Sequence, residues 1–252
     1  KCDWSSDVCS SDLRGSRTMD FPITRARIEI HPVKASLQEG PLGNIGYIRL
    51  NQFSANAAGE MKEAIEDFEE QNVSGYILDL RSNPGGLLYA SIEIARMWLD
   101  EGDIVSTVNR VGITDRQQAN RKALTDKALV VLVNEGSASA SEILSGALQD
   151  NNRAKLVGTK TFGKGLVQSV RSVGNGAGLA VTIAKYFTPS GRDINHEGIV
   201  PDVEISLTEE QIEAIRDDRS LFGTLADPQY ARAMEVLTQE IAALENQKAQ
   251  NQ

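Results

Sequence analysis

The chain has 252 residues, 40% of them hydrophobic, and a formal net charge of −9. That supplies one large core, and the acidic balance argues against a broad nucleic-acid surface, which would be basic. No stretch approaches the ~20 consecutive apolar residues of a membrane-spanning helix, and no apolar leader run is visible.

The first segment, "SSDVCSSDL" (Ser5 to Leu13), repeats an S-S-D triplet and has neither a helical nor a strand period. It reads as the translation of a sequencing-adapter end, so residues 1–13 are expected to be an artefact without stable structure. Both cysteines, Cys2 and Cys9, fall inside it. The remainder has no thiol for a disulfide, a nucleophile or a thiolate metal site.

"ITRARIEI" (Ile23 to Ile30) alternates like a strand, and "IGYIRL" (Ile45 to Leu50) predicts another after a glycine-containing turn. From Ala57 to Glu70, Met61, Ala64, Ile65 and Phe68 recur at helical spacing. "GYILDL" (Gly75 to Leu80) is a short apolar run suited to a buried parallel strand, and "RSNPGG" (Arg81 to Gly86) is a loop by composition. Leu87 to Leu99 predicts a helix, Ala128 to Asn134 a second buried strand, Ala138 to Asp150 a helix with a small-residue start, and "AKLVG" a third strand. Strands and helices alternating at these spacings predict an α/β sheet with parallel pairs. After Gly165, "LVQSVRSV" and "GLAVTIAKYF" alternate like a hairpin around "GNGAG". In the tail, Thr208 with Gln211 makes a capping box, and Asp227 before Pro228 opens an amphipathic helix running to about Gln247.

Chemistry concentrates in two stretches. "GTKTFGKG" (Gly158 to Gly165) begins like a phosphate loop, but such a loop needs Ser or Thr after its lysine and a helix next. Here Gly165 follows Lys164, and the residues beyond it alternate as a strand. "NEGSASASEIL" puts serines at the head of a helix, where backbone N–H groups and the dipole can stabilise an oxyanion. The two histidines, His31 and His196, sit in no recognisable triad context. A serine can instead use a desolvated lysine as base. Lys164 stands between Gly163 and Gly165, with Phe162 and Leu166 available to cover it, although a solvated loop lysine fits the same residues.

The motifs "NEGSASASEILSGALQDNNRAKLVGTKTFGKGLVQSV", "GYILDLRSNPGGLL" and "FTPSGRDINHEGIVPDVEI" together resemble the carboxy-terminal processing peptidases, or tail-specific proteases, over most of Ile45 to Ile205. The resemblance implies a serine endopeptidase with a Ser-Lys dyad that cleaves near the C-terminus of protein substrates. It places the nucleophile on Ser139, with Ser137 and Ser141 as alternatives. It places the general base on Lys164, a lysine-orienting glutamine on Gln168, and oxyanion donors on the N–H groups of Gly85 and Ala140. Asp150 matches an acidic position near the site, where a structural helix-end role fits equally well. Lys164 and Gln168 are four apart, and on a strand such residues share a face.

The implied fold is an α/β core of the crotonase and Clp type, with a β-hairpin region and C-terminal helices. The implied layout is a remnant of a PDZ domain at 14–35, a peptidase core at 36–206 and a helical extension at 207–252, with a fuller PDZ domain and an export signal in family members upstream. No metal or cofactor is implied. The implied partners are proteins or peptides with exposed C-terminal tails, and the implied setting is the periplasm or thylakoid lumen. "GTLADPQYARAMEVL" resembles photosynthetic-lineage members in particular. A non-catalytic peptide-binding scaffold and a crotonase-type acyl-CoA enzyme are the competing readings; intact Ser139, Lys164 and Gln168 argue against the first, while the second needs no Ser-Lys dyad and is separated by coenzyme A binding.

Overall fold

A computed structural model describes residues 8–14, 17–23, 30–174 and 176–250. They fall into two compact units that divide after Ile30. In the first, β1 (Val8–Arg14) and β2 (Arg17–Ile23) form an antiparallel hairpin. The aperiodic reading of Ser5 to Leu13 did not foresee a strand there; antiparallel pairing runs on main-chain hydrogen bonds and needs no side-chain period. The strand expected over Ile23 to Ile30 lies outside the described residues at 24–29, as does the expected artefact at 1–7.

The second unit is built on a six-stranded sheet. β3 (Val33–Gly40) and β4 (Gly43–Leu50) form an antiparallel hairpin at one edge. β5 (Gly75–Asp79), β8 (Ala128–Val133), β9 (Lys155–Gly158) and β12 (Val203–Glu204) then run parallel to β4, in the order β12-β9-β8-β5-β4-β3. The strand pairing of this unit thus begins ahead of residue 36, where the core was expected to start. β5 and β8 are buried at every position, as expected for strands covered on both faces. Their alternation divides the core. Leu129, Val131 and Val133 face α1 (Ala57–Glu70), α2 (Leu88–Trp98) and α3 (Ala140–Asp150), while Ala128, Val130 and Leu132 face Tyr230, Ala233 and Leu237 of α5 (Pro228–Gln250). Each fully buried Val or Leu contributes about 1.5–3 kcal/mol.

A separate four-stranded antiparallel sheet has the order β10-β11-β6-β7. Its hairpin of β10 (Leu166–Gly174) and β11 (Ala177–Phe187) is the one expected from alternation. β6 (Asp103–Asn109) and β7 (Gly112–Gln118) were not foreseen, since their polar residues hide the period. Past β12, α4 (Glu209–Asp217) starts at Thr208, whose hydroxyl accepts the Gln211 N–H while the Gln211 side chain accepts the Thr208 N–H. No helix among the described residues is long and apolar enough to cross a membrane.

One buried ionic network ties the tail to the sheet. The Arg81 guanidinium, beyond the end of β5, donates to Asp79 at 2.6 and 3.0 Å and meets Asp227 Oδ2 at 2.8 Å. Asp227 Oδ1 accepts the N–H groups of Gln229 and Tyr230 and so caps α5, as the Asp-Pro pair predicted. The Tyr47 hydroxyl donates to Asp79 Oδ2 at 2.8 Å; burial and that carboxylate push its pKa well above the usual phenol range and keep it a donor. Phe222 lies between two cations, with Arg81 4.0 Å and Arg49 4.1 Å from its ring centre. Asp227→Ala removes one of two carboxylates from a buried arginine and uncaps α5. It should cost about 3 kcal/mol or more in urea unfolding; a loss under about 1 kcal/mol would mean that Asp79 alone balances Arg81.

Candidate active site

Three connections at the C-terminal ends of neighbouring parallel strands come together here: 80–87 after β5, 134–139 after β8 and 159–165 after β9. The SASAS run occupies the second. Its three serines separate by what their hydroxyls do. Ser137 is fully buried and donates to the Leu80 carbonyl at 2.8 Å. Ser141 is fully buried and donates to the Asn83 carbonyl at 2.9 Å. Ser139 is half-buried, and among the described residues its hydroxyl has no acceptor in hydrogen-bond range. It sits as the N-cap of α3 with φ +56° and ψ −110°, a conformation that costs a non-glycine residue of order 1–3 kcal/mol and persists only when its surroundings enforce it.

Glu142 is what enforces it. This glutamate is fully buried in α3 and accepts four hydrogen bonds. Oε2 takes the Ser139 N–H at 2.7 Å and the Lys164 N–H at 2.9 Å. Oε1 takes the Gly163 N–H at 2.6 Å and the Thr161 hydroxyl at 2.6 Å. The Ser139 and Lys164 amides thus share one oxygen, which brings the helix head and the lysine loop together. Sequence reading did not single out Glu142. Its signal was there in Ser139-x-x-Glu142, a capping-box spacing, with the carboxylate returning to the N-cap amide.

The loop around Lys164 is shaped by close packing on the turn at 194–198. A Cβ on Gly165 would stand 2.4 Å from Asn195 N, and one on Gly163 3.0 Å from the His196 carbonyl carbon. The glycines of "FGKG" therefore serve backbone approach between two loops, and a strand follows rather than the helix a phosphate loop requires. The expected apolar cover for Lys164 is not seen: Phe162 is 67% exposed and the lysine side chain lies in the open. Gln168 is exposed too. The expectation that it shares a strand face with Lys164 does not hold, because Lys164 precedes β10 and a bulge falls between Val167 and Gln168. Among the described residues the two side chains form no hydrogen bond with each other.

Gly85 touches the helix head. With φ +98°, it would place a Cβ 2.6 Å from Ala138 O and 2.9 Å from both Ala140 N and Ser139 Cβ, so only glycine fits. Among the described residues the Ala140 N–H has no acceptor, as expected for the first residue of a helix. The Gly85 N–H is different from its expected free state: it donates to Asn83 Oδ1 at 2.9 Å. Asn83 is itself fully buried, and its carbonyl accepts from the Ala138 N–H and the Ser141 hydroxyl, which fixes the glycine turn to α3.

Asp150 is not brought to this place. It ends α3, ten residues from Ser139's helix neighbour Ala140, or about 15 Å along the axis at 1.5 Å per residue. There it accepts the Ser190 N–H at 2.9 Å and pairs with Arg192. Burial by itself would raise its pKa, but hydrogen bonds from Thr188 and Ser190 and the Arg192 charge outweigh that and hold it below the usual carboxylate range. The helix-end role is the one the structure gives it.

A strained, accessible serine at a helix head, beside an amide without an acceptor and a lysine loop fixed to the same buried carboxylate, is an α/β arrangement suited to acyl transfer on a serine hydroxyl. The sequence profile of peptidase family S41 matches residues 44–205, and the chain belongs to that family. It is 53% identical over 224 residues to the carboxyl-terminal-processing protease of a Synechocystis strain, covering 88% of this chain and 51% of that protein. It is 46% identical over 212 residues to carboxyl-terminal-processing peptidase 3, chloroplastic, of Arabidopsis thaliana, covering 79% of this chain and 40% of that one. The solved photosystem II D1 C-terminal processing protease superposes with a TM-score of 0.70 at 36% identity, covering 90% of this chain and 62% of that chain. The chain thus spans about half the length of the curated relatives it matches.

Two measurements check the roles given to the acidic residues. Glu142→Gln keeps the size but puts an NH₂ donor where two donors already point, so it should lower stability by about 2–4 kcal/mol in urea unfolding; an unchanged midpoint would sink the tethering role. Asp150 has a depressed folded-state pKa, so its contribution is present above the unfolded carboxyl pKa and lost as pH falls through the folded value. Asp150→Asn should therefore destabilise at pH 7 by about 1–2 kcal/mol, with the gap to wild type closing in thermal melts as the pH drops below about 4.

Proposed function

We propose that this chain is the core of a serine endopeptidase that cleaves near the C-terminus of protein substrates through a Ser139–Lys164 dyad. One observation carries the reading. Of the three clustered serines, Ser139 is the one whose hydroxyl proton has no acceptor among the described residues, and its amide shares Glu142 Oε2 with the Lys164 amide. Family membership supports the reaction class, and the names of the processing proteases it resembles support the substrate class.

In this mechanism Lys164, in its neutral form, takes the Ser139 proton as the oxygen attacks the scissile carbonyl, and returns it to the leaving amine. The exposed lysine loses water when a bound peptide covers the loop, which favours the neutral form. The oxyanion lies against the Ala140 N–H, with the Gly85 N–H as second donor once it turns from Asn83 Oδ1. Water then opens the acyl-enzyme on Ser139. Gln168 orients Lys164 in the closed site, on the strength of the motif resemblance. A PDZ remnant ahead of the core sheet, which pairs from Val33 onward, belongs to a domain that presents the substrate, and the core shares the crotonase and Clp-type layout. The plastid label on the Arabidopsis relative supports an exported setting, periplasm or thylakoid lumen.

The test is turnover of a chromogenic peptide by four proteins. Ser139→Ala should fall to background with its melting curve unchanged. Lys164→Arg should be as inactive as Lys164→Ala, each down at least about a hundredfold, because guanidinium does not release a proton in proteins. Substantial activity in Lys164→Arg removes the dyad.

A further inference from the structure

Where the C-terminal segment meets β4, one cavity runs against the acidic character of the chain. It measures about 380 Å³ and is lined by Arg49, Arg216, Arg219, Ile212, Ile215 and Phe222. The three arginines come from three elements: β4, the last turn of α4, and the single 3₁₀ turn after it. Among the described residues none of them forms an ion pair, and Arg49 Nε is buried without a hydrogen-bond partner. Arg81 contrasts with them, for it lies across the Phe222 ring from Arg49 and is matched by Asp79 and Asp227. The Asp218 carboxylate beside the cluster is already taken by the N–H and hydroxyl of Ser220, at 2.9 and 2.6 Å. Like charges gathered at a partly dry surface repel, and an anion placed between them converts that repulsion into attraction.

Two features say what kind of anion. Three of the seven lining residues are apolar, and α4 buries none of its residues, so Ile212 and Ile215 are held as an open apolar wall rather than as core. An inorganic anion has no use for such a wall; a carboxylate carried next to an apolar side chain uses both halves. The second feature is position. Ser82 also lines the cavity, and it precedes Gly85 by three residues. A chain spans at most about 3.6 Å per residue, which keeps the two within about 11 Å. Gly85 is in contact with Ser139.

We propose that this cavity receives the free α-carboxylate of a peptide tail, held by the guanidinium groups of Arg49, Arg216 and Arg219, with the terminal side chain against Ile212 and Phe222. An extended peptide advances about 3.3 Å per residue, so a terminus anchored here lays a peptide bond some three to five residues upstream at Ser139. The substrate class follows from the peptidase reading; the carboxylate site itself stands on the arginine cavity.

The experiment measures binding and cleavage separately. Fluorescence anisotropy follows a labelled apolar peptide ending in a free acid, and the same peptide ending in an amide, on the Ser139→Ala protein. The acid should bind at least about tenfold tighter than the amide, the share of a charge-assisted hydrogen bond. That preference should vanish in Arg216→Gln/Arg219→Gln, whose exposed side chains can change with the circular dichroism spectrum unaltered. Equal binding of acid and amide, no binding of either, or a preference that survives the double substitution each overturns the proposal. Inorganic phosphate displacing a fluorescent anion while acid and amide bind alike also overturns it, in favour of a simple anion site. Hydrolysis by the wild-type protein with no acid preference sinks the carboxylate site alone, whereas acid preference without hydrolysis sinks the peptidase reading alone.

Discussion

The geometry of this protein's candidate site hangs on one buried carboxylate. Glu142 lies in a helix packed against the sheet, yet all of its bonding capacity is spent on groups outside its own turn ladder: the amides of Ser139, Gly163 and Lys164 and the hydroxyl of Thr161. Burying a carboxylate is expensive unless every lone pair finds a donor. The four donors come from two connections that are remote in sequence, so the cost of burial is offset only when both loops are in place. That makes the serine's strained backbone and the lysine's position two parts of one arrangement.

A second ionic centre works from the other face of the sheet. Arg81 follows β5 directly, on the same connection that carries Gly85, and it is fixed by Asp227 at the head of α5. The glycine turn is therefore held at its beginning by the C-terminal helix and at its end by Asn83 and α3. The two buried charge clusters, one on each face, leave the connection between them little freedom.

Much of this was legible in the sequence and some was not, for reasons that differ by residue. β5 and β8 were readable because a continuous apolar run between turn signals has few alternatives, and α5 because Asp227 and Pro228 mark a helix start chemically. β6 and β7 escaped because their pattern is mostly polar, and β3 because its side chains are largely exposed. Ser137, Ser139 and Ser141 are the same residue at spacings of two, so no local rule ranks them by chemistry; the carbonyls of Leu80 and Asn83, from a distant loop, do. Glu142 had a visible spacing signal that reads equally well as an ordinary helix cap. The openness of Lys164 and the bulge before Gln168 are tertiary facts, set by how β10 leaves the loop, and periodicity cannot carry them.

The placement of α5 has a consequence for synthesis. Tyr230, Ala233 and Leu237 pack on one face of the core beneath β5 and β8, and they follow every strand of the sheet in sequence. A ribosome delivers them after the sheet strands and after the loops that carry Ser139 and Lys164. Until then the sheet has one bare apolar face, and the arginine that steadies the glycine turn lacks one of its two carboxylates. The nascent polypeptide can form its sheet and its first three helices early, but the loops around Ser139 reach their final order only once α5 has emerged. The fold thus carries its own delay between emergence from the ribosome and a finished site.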